Sequence, residues 1–304
     1  MSKSKAWLSA FRLRTLPLSL SGIIAGSAVA YYSDFWDPII FSLAMVTTVL
    51  FQILSNLAND LGDGAKGTDN DNRVGPERAV QSGIITQKEM KIAVGINSVL
   101  SLLSAGALIY FGTQNMPYEM IWFYSGLALL CVLAAITYTV GEKAYGYHGM
   151  GDIMVLIFFG GVSVLGVYSL FAKSFSNENI LLAIGIGLLS TAVLNLNNMR
   201  DYVNDENSGK NTIVVKMGPN QAKFYHTIII IIAMACLAQF INSIGEPILF
   251  LALTPALYLL FHIRKVMQTT DPKDFDPELK KVALSTFGIA LLLFGIIIIL
   301  VENA

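Results

Sequence analysis

Nine apolar stretches that carry no charged side chain and approach membrane-crossing length constrain this sequence more than any other feature. A hydrocarbon core of about 30 Å takes about 20 residues of helix at about 1.5 Å rise each. The stretches lie at approximately 16–32, 38–58, 92–112, 120–140, 153–172, 180–199, 224–244, 247–263 and 282–301. Lipid offers no partner to a backbone N–H or C=O, so each stretch must satisfy its own hydrogen bonds as a helix. The expected fold is therefore an all-α integral membrane protein with about nine transmembrane helices in a bundle, one polytopic domain over 1–304. The first stretch is short, and the amphipathic segment 7–13 is expected to extend it.

Composition agrees. Only 13% of the side chains are charged against 54% hydrophobic, where a soluble domain carries roughly 25% charged residues. A disordered chain, a basic nucleic-acid-binding domain and a soluble globule are excluded. Placing the N-terminus in the cytoplasm puts all of the 20 basic residues except Lys173 on the cytoplasmic side, as positive charge retained inside requires. The start MSKSK lacks the pattern of a cleavable signal. Cys131 and Cys236 both lie in apolar runs and read as packing residues, and His148, His226 and His262 show no zinc spacing.

The inner loops at 59–91 and 200–223 are long and polar, and loops of that kind usually carry function. The first reads NLANDLGDGAKGTDNDNRVGPERAVQSG over 56–83. If the second membrane helix continues to Asp63, then Asn56, Asn59, Asp60 and Asp63 stand at i, i+3, i+4 and i+7 and share a face. The second loop, NLNNMRDYVNDENSGKNT over 195–212, places Asn198, Asp201 and Asp205 at i, i+3 and i+7. Both contain Asn-Leu-x-Asn followed by adjacent Gly and Lys, a weak internal repeat consistent with two similar half-bundles facing each other. Oxygen-only clusters suit Mg²⁺, which is commonly shared between one or two carboxylates and substrate phosphates. Two such ions would clamp a diphosphate, with Lys66, Arg73, Arg78, Arg200 and Lys210 neutralising its remaining charge. A single Asp at a helix end is usually just solvated; two matching clusters on one side are much harder to dismiss.

The whole chain resembles the UbiA superfamily of membrane prenyltransferases, and in detail its menaquinone-pathway branch. The resemblance rests on RTLPLSLSGIIAG (14–26), LSNLANDLGDGAKGTDNDNRVGPERAVQSGIIT (54–86), YTVGEKAYGYHGMGD (138–152) and NNMRDYVNDENSGKNTIVVKMG (197–218). The family's first pattern, Asn-Asp-x-x-Asp-x-x-x-Asp, matches Asn59, Asp60 and Asp63 but meets Gly67 at its end, with Asp69 two residues beyond. Its second, Asp-x-x-x-Asp-x-x-x-Asp, matches Asp201 and Asp205 and meets Gly209, followed by Lys210.

The resemblance implies a multi-pass protein of the bacterial inner membrane with its active site facing the cytoplasm. Its implied reaction moves a polyprenyl chain from polyprenyl diphosphate to 1,4-dihydroxy-2-naphthoate, with loss of CO₂, giving demethylmenaquinone. Asp60, Asp63, Asp201 and Asp205 would be the catalytic metal ligands, holding two Mg²⁺ ions. Lys66, Arg73, Arg78, Lys143 and Lys210 would meet phosphate, Asn56, Asn59 and Asn198 would orient the site, and Tyr138 would add a weaker contact. Tyr145, Tyr147 and Tyr202 lie near the expected mouth, where aromatic residues stabilise a cation or simply anchor the interface, and His148 reads as interfacial.

Two rivals are open. A secondary transporter usually places ionisable groups at the bilayer midplane, whereas the centres of all nine runs are uncharged. A prenyltransferase for another acceptor, such as 4-hydroxybenzoate or homogentisate, would use the same clusters.

Overall fold

The computed structural model describes residues 2–70 and 74–303, and every long element in it is helical. Helix α1 (Lys3–Phe11) ends where Arg12 turns into the left-handed region (φ 48°, ψ 51°); after one 3₁₀ turn, α2 (Leu16–Tyr32) begins. The next spans are α3 (Pro38–Ala65), α4 (Gln87–Gly112) and α5 (Glu119–Thr137). Span α6 (Gly151–Ala172) carries a π-helical stretch, Leu156–Gly166, at its centre. Then come α7 (Ile180–Arg200), two short helices α8 (Tyr202–Asn207) and α9 (Ile213–Met217), and α10 (Pro219–Ile244). Span α11 (Pro247–Gln268) opens as a 3₁₀ helix, and α12 (Phe275–Glu302) closes the chain. Among the described residues nine segments are long and apolar enough to cross a membrane, one for each apolar stretch in the sequence.

Local chemistry sets the helix starts. Asp37 accepts hydrogen bonds from the N–H groups of Ile39 and Ile40, with Pro38 at the first helical position, and so launches α3. Thr86 and Glu89 form a reciprocal capping box at the head of α4.

Large apolar side chains such as Leu103, Trp122, Phe261 and Ile299 are exposed around the bundle, as a surface solvated by lipid requires. Inside, small residues let backbones approach. A Cβ on Gly26 of α2 would stand 2.6 Å from the Val164 carbonyl oxygen, so α2 and α6 meet backbone to backbone.

Apolar packing falls into two clusters. The larger joins α2 to α6, α7, α10, α11 and α12; the smaller joins α1, the second half of α3 and the start of α4 with Ala79, Ile85 and Val132. Ile40, Ala44, Ile109 and Tyr124 belong to the larger cluster. The two halves therefore merge at the end of the bundle where α3 starts and separate at the end where it finishes. A cleft between them opens at that second end, beside the polar loops.

One buried polar chain crosses the bundle. His226 of α10 and His262 of α11 share a hydrogen bond of 2.8 Å, His262 Nδ1 lies 2.6 Å from a Glu278 carboxylate oxygen of α12, and Lys281 donates to the other oxygen at 2.6 Å.

Candidate active site

Helix α3 runs about two turns past the apolar stretch that forms it, which carries its polar residues into the cleft. Asn56, Asn59 and Asp63 line the cavity there. After Lys66 the chain reverses at Gly67 (φ 72°), with the Thr68 N–H on the Asp63 carbonyl at 3.0 Å, and this turn folds Asp69 back onto the same wall. From the other half, α7 ends at Arg200, Asp201 breaks the helix (φ −95°, ψ 8°), and α8 then presents Asn204 and Asp205.

Lys210 joins the two halves. Its ammonium is buried 3.3 Å from an Asp63 oxygen. Burial opposes that charge, but Asp63 and Asp205 outweigh it and hold the lysine above its ordinary value. Tyr147 donates to the other Asp63 oxygen at 2.8 Å and receives the Thr68 hydroxyl at 2.6 Å, while Asn204 donates to the Thr68 carbonyl at 2.8 Å. Burial, and then the Asp63 charge, push the Tyr147 phenol up, so it stays a donor at neutral pH. Lys66 lies outside this cavity with its Nζ 3.8 Å over the Tyr147 ring; partial burial lowers it, ahead of the opposing pull of Asp63.

Arg200 grips Asp201 with two parallel bonds, Nε at 3.0 Å and Nη2 at 2.6 Å, and reaches Asp276 of α12 at 2.6 Å and Asn197 at 2.8 Å. The fork holds the Asp201 carboxylate in one orientation at the cavity wall. The cavity holds about 720 Å³. Polar groups gather at its mouth, while its stem descends between Leu127, Phe158, Phe159 and Val162 toward Ile109 and Leu170 near the far end.

A sequence profile of the UbiA prenyltransferase family matches residues 19–285. The chain belongs to that family. Among relatives, a 1,4-dihydroxy-2-naphthoate octaprenyltransferase of Escherichia coli is 44% identical over 92% of this chain and 91% of its own. The enzyme of the same name from Haemophilus influenzae is 43% identical over 78% and 77%, and that of Mycobacterium tuberculosis 30% identical over 97% of both chains. A solved UbiA homologue from Aeropyrum pernix superposes with a TM-score of 0.68 over 96% of this chain and 99% of its own at 15% identity. A digeranylgeranylglyceryl phosphate synthase superposes with a TM-score of 0.59 over 97% and 98% at 17% identity. These two share the UbiA fold.

Of the residues singled out in the sequence, Asn56, Asn59, Asp63, Arg78, Tyr138, Asp201, Asp205 and Lys210 come together on this one UbiA-type cavity. Arg73 lies outside the described residues. Asp60, Lys66, Lys143 and Asn198 do not line it. Asp60 stands about 100° around the helix from Asn59 and faces α1 and the 74–86 segment, where it meets Arg12 at 2.8 Å and the Ala79 N–H at 3.3 Å. Lys143 is exposed on the turn after α5, while Tyr138, the weaker expectation, sits at the cavity. Asn197, one turn before Asp201 in α7, rather than Asn198 lines the cavity.

The sequence reading missed Arg12, Arg14, Asn197, Asn204, Asp276 and Lys280, all of which line the cavity. The first four lie in or beside RTLPLS and NNMRDYVND, and Asp276 and Lys280 stand together on α12. The donor set fits Mg²⁺: Asp63, Asp69, Asp201 and Asp205 with the Asn59, Asn197 and Asn204 amides are all oxygen ligands. Among the described residues no three His, Cys, Asp or Glu side chains converge into a ready-made cage. Carboxylates set apart in this way suit an ion whose remaining ligands come from phosphate and water.

Proposed function

We propose that this protein transfers a polyprenyl group from polyprenyl diphosphate to 1,4-dihydroxy-2-naphthoate with release of CO₂, yielding demethylmenaquinone in its reduced form. The observation that carries this reading is the single cavity whose mouth combines both acidic motifs with Lys210 and whose stem is apolar. The acceptor assignment draws on the naphthoate octaprenyltransferases to which the chain is similar over most of its length.

Asp63, Asp69, Asp201 and Asp205 would hold Mg²⁺, probed as two ions, with Asp60 assigned instead to positioning. When bound, Mg²⁺ would supply Lewis-acid stabilisation of the departing diphosphate. Lys210, fixed in its charged form by Asp63 and Asp205, adds a cation at the same place without reorganising. Arg200 holds Asp201 in one orientation, and the Asn59 and Asn197 amides orient what enters the mouth. The allylic C–O bond breaks with its electron pair leaving on the diphosphate, the naphthoate ring forms the new C–C bond, and the carboxylate leaves as CO₂, returning its bonding pair to the ring. Buried apolar surface contributes about 0.8 kcal/mol per CH₂, so the stem and surrounding lipid keep the isoprenoid chain out of water. Tyr138 and Tyr145 line the wall beside the reacting end, where aromatic faces favour a developing cation.

The chain is a multi-pass membrane protein, and we place its mouth in the cytoplasm of a bacterial cell. Lys173, the one basic residue assigned to the outer side, lies at the end of α6 and donates to the Gly112 and Leu170 carbonyls at the end remote from the mouth. The test is incubation of the detergent-purified protein with polyprenyl diphosphate and 1,4-dihydroxy-2-naphthoate, with Mg²⁺ or with EDTA, following product mass. A Mg²⁺-dependent prenylated, decarboxylated product is expected. Prenylation of 4-hydroxybenzoate or homogentisate instead would overturn the acceptor assignment and keep the family chemistry.

A further inference from the structure

A second cavity, of about 300 Å³, lies on the outer side of the mouth between α1 and the 76–79 segment. Arg12, Arg14 and Arg78 line both cavities and so form the wall between them. Asp60 lines only the smaller one. Its carboxylate accepts from Arg12 Nη2 at 2.8 Å and from the Ala79 N–H at 3.3 Å and lies 3.6 Å from Arg78 Nε, so it ties the N-terminal segment to the loop after α3.

Arg12 carries two unfavourable features at once. It is a non-glycine residue in the left-handed backbone region, and its Nε–H is buried with no hydrogen-bond partner among the described residues. Strain and an unsatisfied donor on one residue persist where the surrounding structure enforces them, typically at ligand sites. Here Asn56 enforces them, donating to the Phe11 carbonyl at 3.0 Å and to Thr15 Oγ1 at 3.2 Å and so clamping the chain on either side of Arg12.

We propose that Arg12 is the residue that reads the acceptor's carboxylate, that the smaller cavity is where a small aromatic acid docks from the aqueous side, and that Asp60 positions Arg12 rather than holding metal. This inference rests on the transferase reading above. The lining supports an aromatic acid over a bare phosphate: Leu8, Leu13 and Pro76 give apolar contact beside the three guanidinium groups, which outnumber the Asp60 and Glu77 carboxylates in the same lining. The two substrates then arrive by separate paths, the isoprenoid along the stem from the lipid and the acid through the arginine wall from water.

The experiment measures KM for each substrate in wild type, Arg12→Gln, Arg12→Lys and Asp60→Asn, using 1,4-dihydroxy-2-naphthoate and naphthalene-1,4-diol, which lacks the carboxylate, as acceptors. For Arg12→Gln we expect KM for the naphthoate to rise at least about tenfold, KM for polyprenyl diphosphate to stay within about twofold, and preference for the naphthoate over the diol to fall about tenfold. Arg12→Lys should recover part of the preference, and Asp60→Asn should show a smaller loss with turnover retained. An unchanged preference in Arg12→Gln, or an equal rise in both KM values, overturns the proposal. If Arg12→Gln does not fold, the Arg12→Lys preference decides, and wild-type preference there overturns it too. Wild-type protein that prenylates neither naphthalene compound refutes the naphthoate-transferase reading on which this proposal rests, a separate result.

Discussion

Replacing Lys210 by Met tests whether the two acidic motifs work as one site. Its ammonium lies 3.3 Å from Asp63, where two unit charges attract by about 5 kcal/mol at an effective dielectric of about 20. Desolvation offsets part of that attraction, and deleting one partner of a buried pair costs about 3–5 kcal/mol because the other charge is left uncompensated. In Lys210→Met, Asp63 and Asp205 would face each other without the cation between them. We expect a lower unfolding midpoint in detergent that Mg²⁺ partly restores, since a bound cation replaces the missing charge. The chemical step loses a fixed cation at the departing diphosphate, worth about 10²–10³ in kcat by analogy with the loss of one oxyanion donor. Single-turnover rates at saturating Mg²⁺, measured well below the unfolding midpoint, separate the two effects. A rate within threefold of wild type in folded Lys210→Met would refute the bridging role.

Three further outcomes are expected. Asp63→Asn, Asp201→Asn and Asp205→Asn should each lower turnover by more than about a hundredfold with insertion intact, whereas Lys143→Ala, exposed and off the cavity, should stay within twofold; product formation at equal folded protein checks both. Tyr147→Phe removes the hydroxyl linking Thr68 to Asp63, two hydrogen bonds of about 1 kcal/mol each, and should cost about tenfold in kcat; an unchanged rate would show that Asp63 needs no such support. Gly26→Leu should overpack the α2–α6 contact at about 1–3 kcal/mol or more, visible as loss of monodisperse protein in gel filtration.

The nine spans and the polar face of α3 were legible because both follow from periodicity and from the absence of charge, local properties of the chain. The two acidic loops stood out by their charged residues at matching spacing, and the fold brings Asp63, Asp201 and Asp205 to one cavity. Where the chain stops being helical, periodicity loses its meaning. The turn at Gly67 brings Asp69 to the cavity although its spacing breaks the family pattern, and the chain leaves helix α7 at Asp201 before Asn204 and Asp205 reach the same wall. Asp60 was assigned to the metal because four residues fit one stripe, but the stripe is wide enough for its edge to face a different neighbour. Arg12 left no signal beyond its place beside RTLPLS: its left-handed turn is clamped by Asn56, more than forty positions away.

The His226–His262–Glu278 chain fixes something distances alone do not express. With His262 neutral and its Nδ1–H donated to Glu278, His262 Nε2 accepts and the Nε2 of His226 carries the proton between them. His226 Nδ1, buried without a partner among the described residues, is then a bare lone pair at the end of a one-way sequence of donors. Three helices are thus locked in a single tautomeric order, and the turn of α12 that carries Asp276 and Lys280 toward the mouth inherits its rotation from that order. Sliding or rolling that helix would leave a second ring nitrogen stranded, so this wall of the cavity is fixed from behind by where two protons sit.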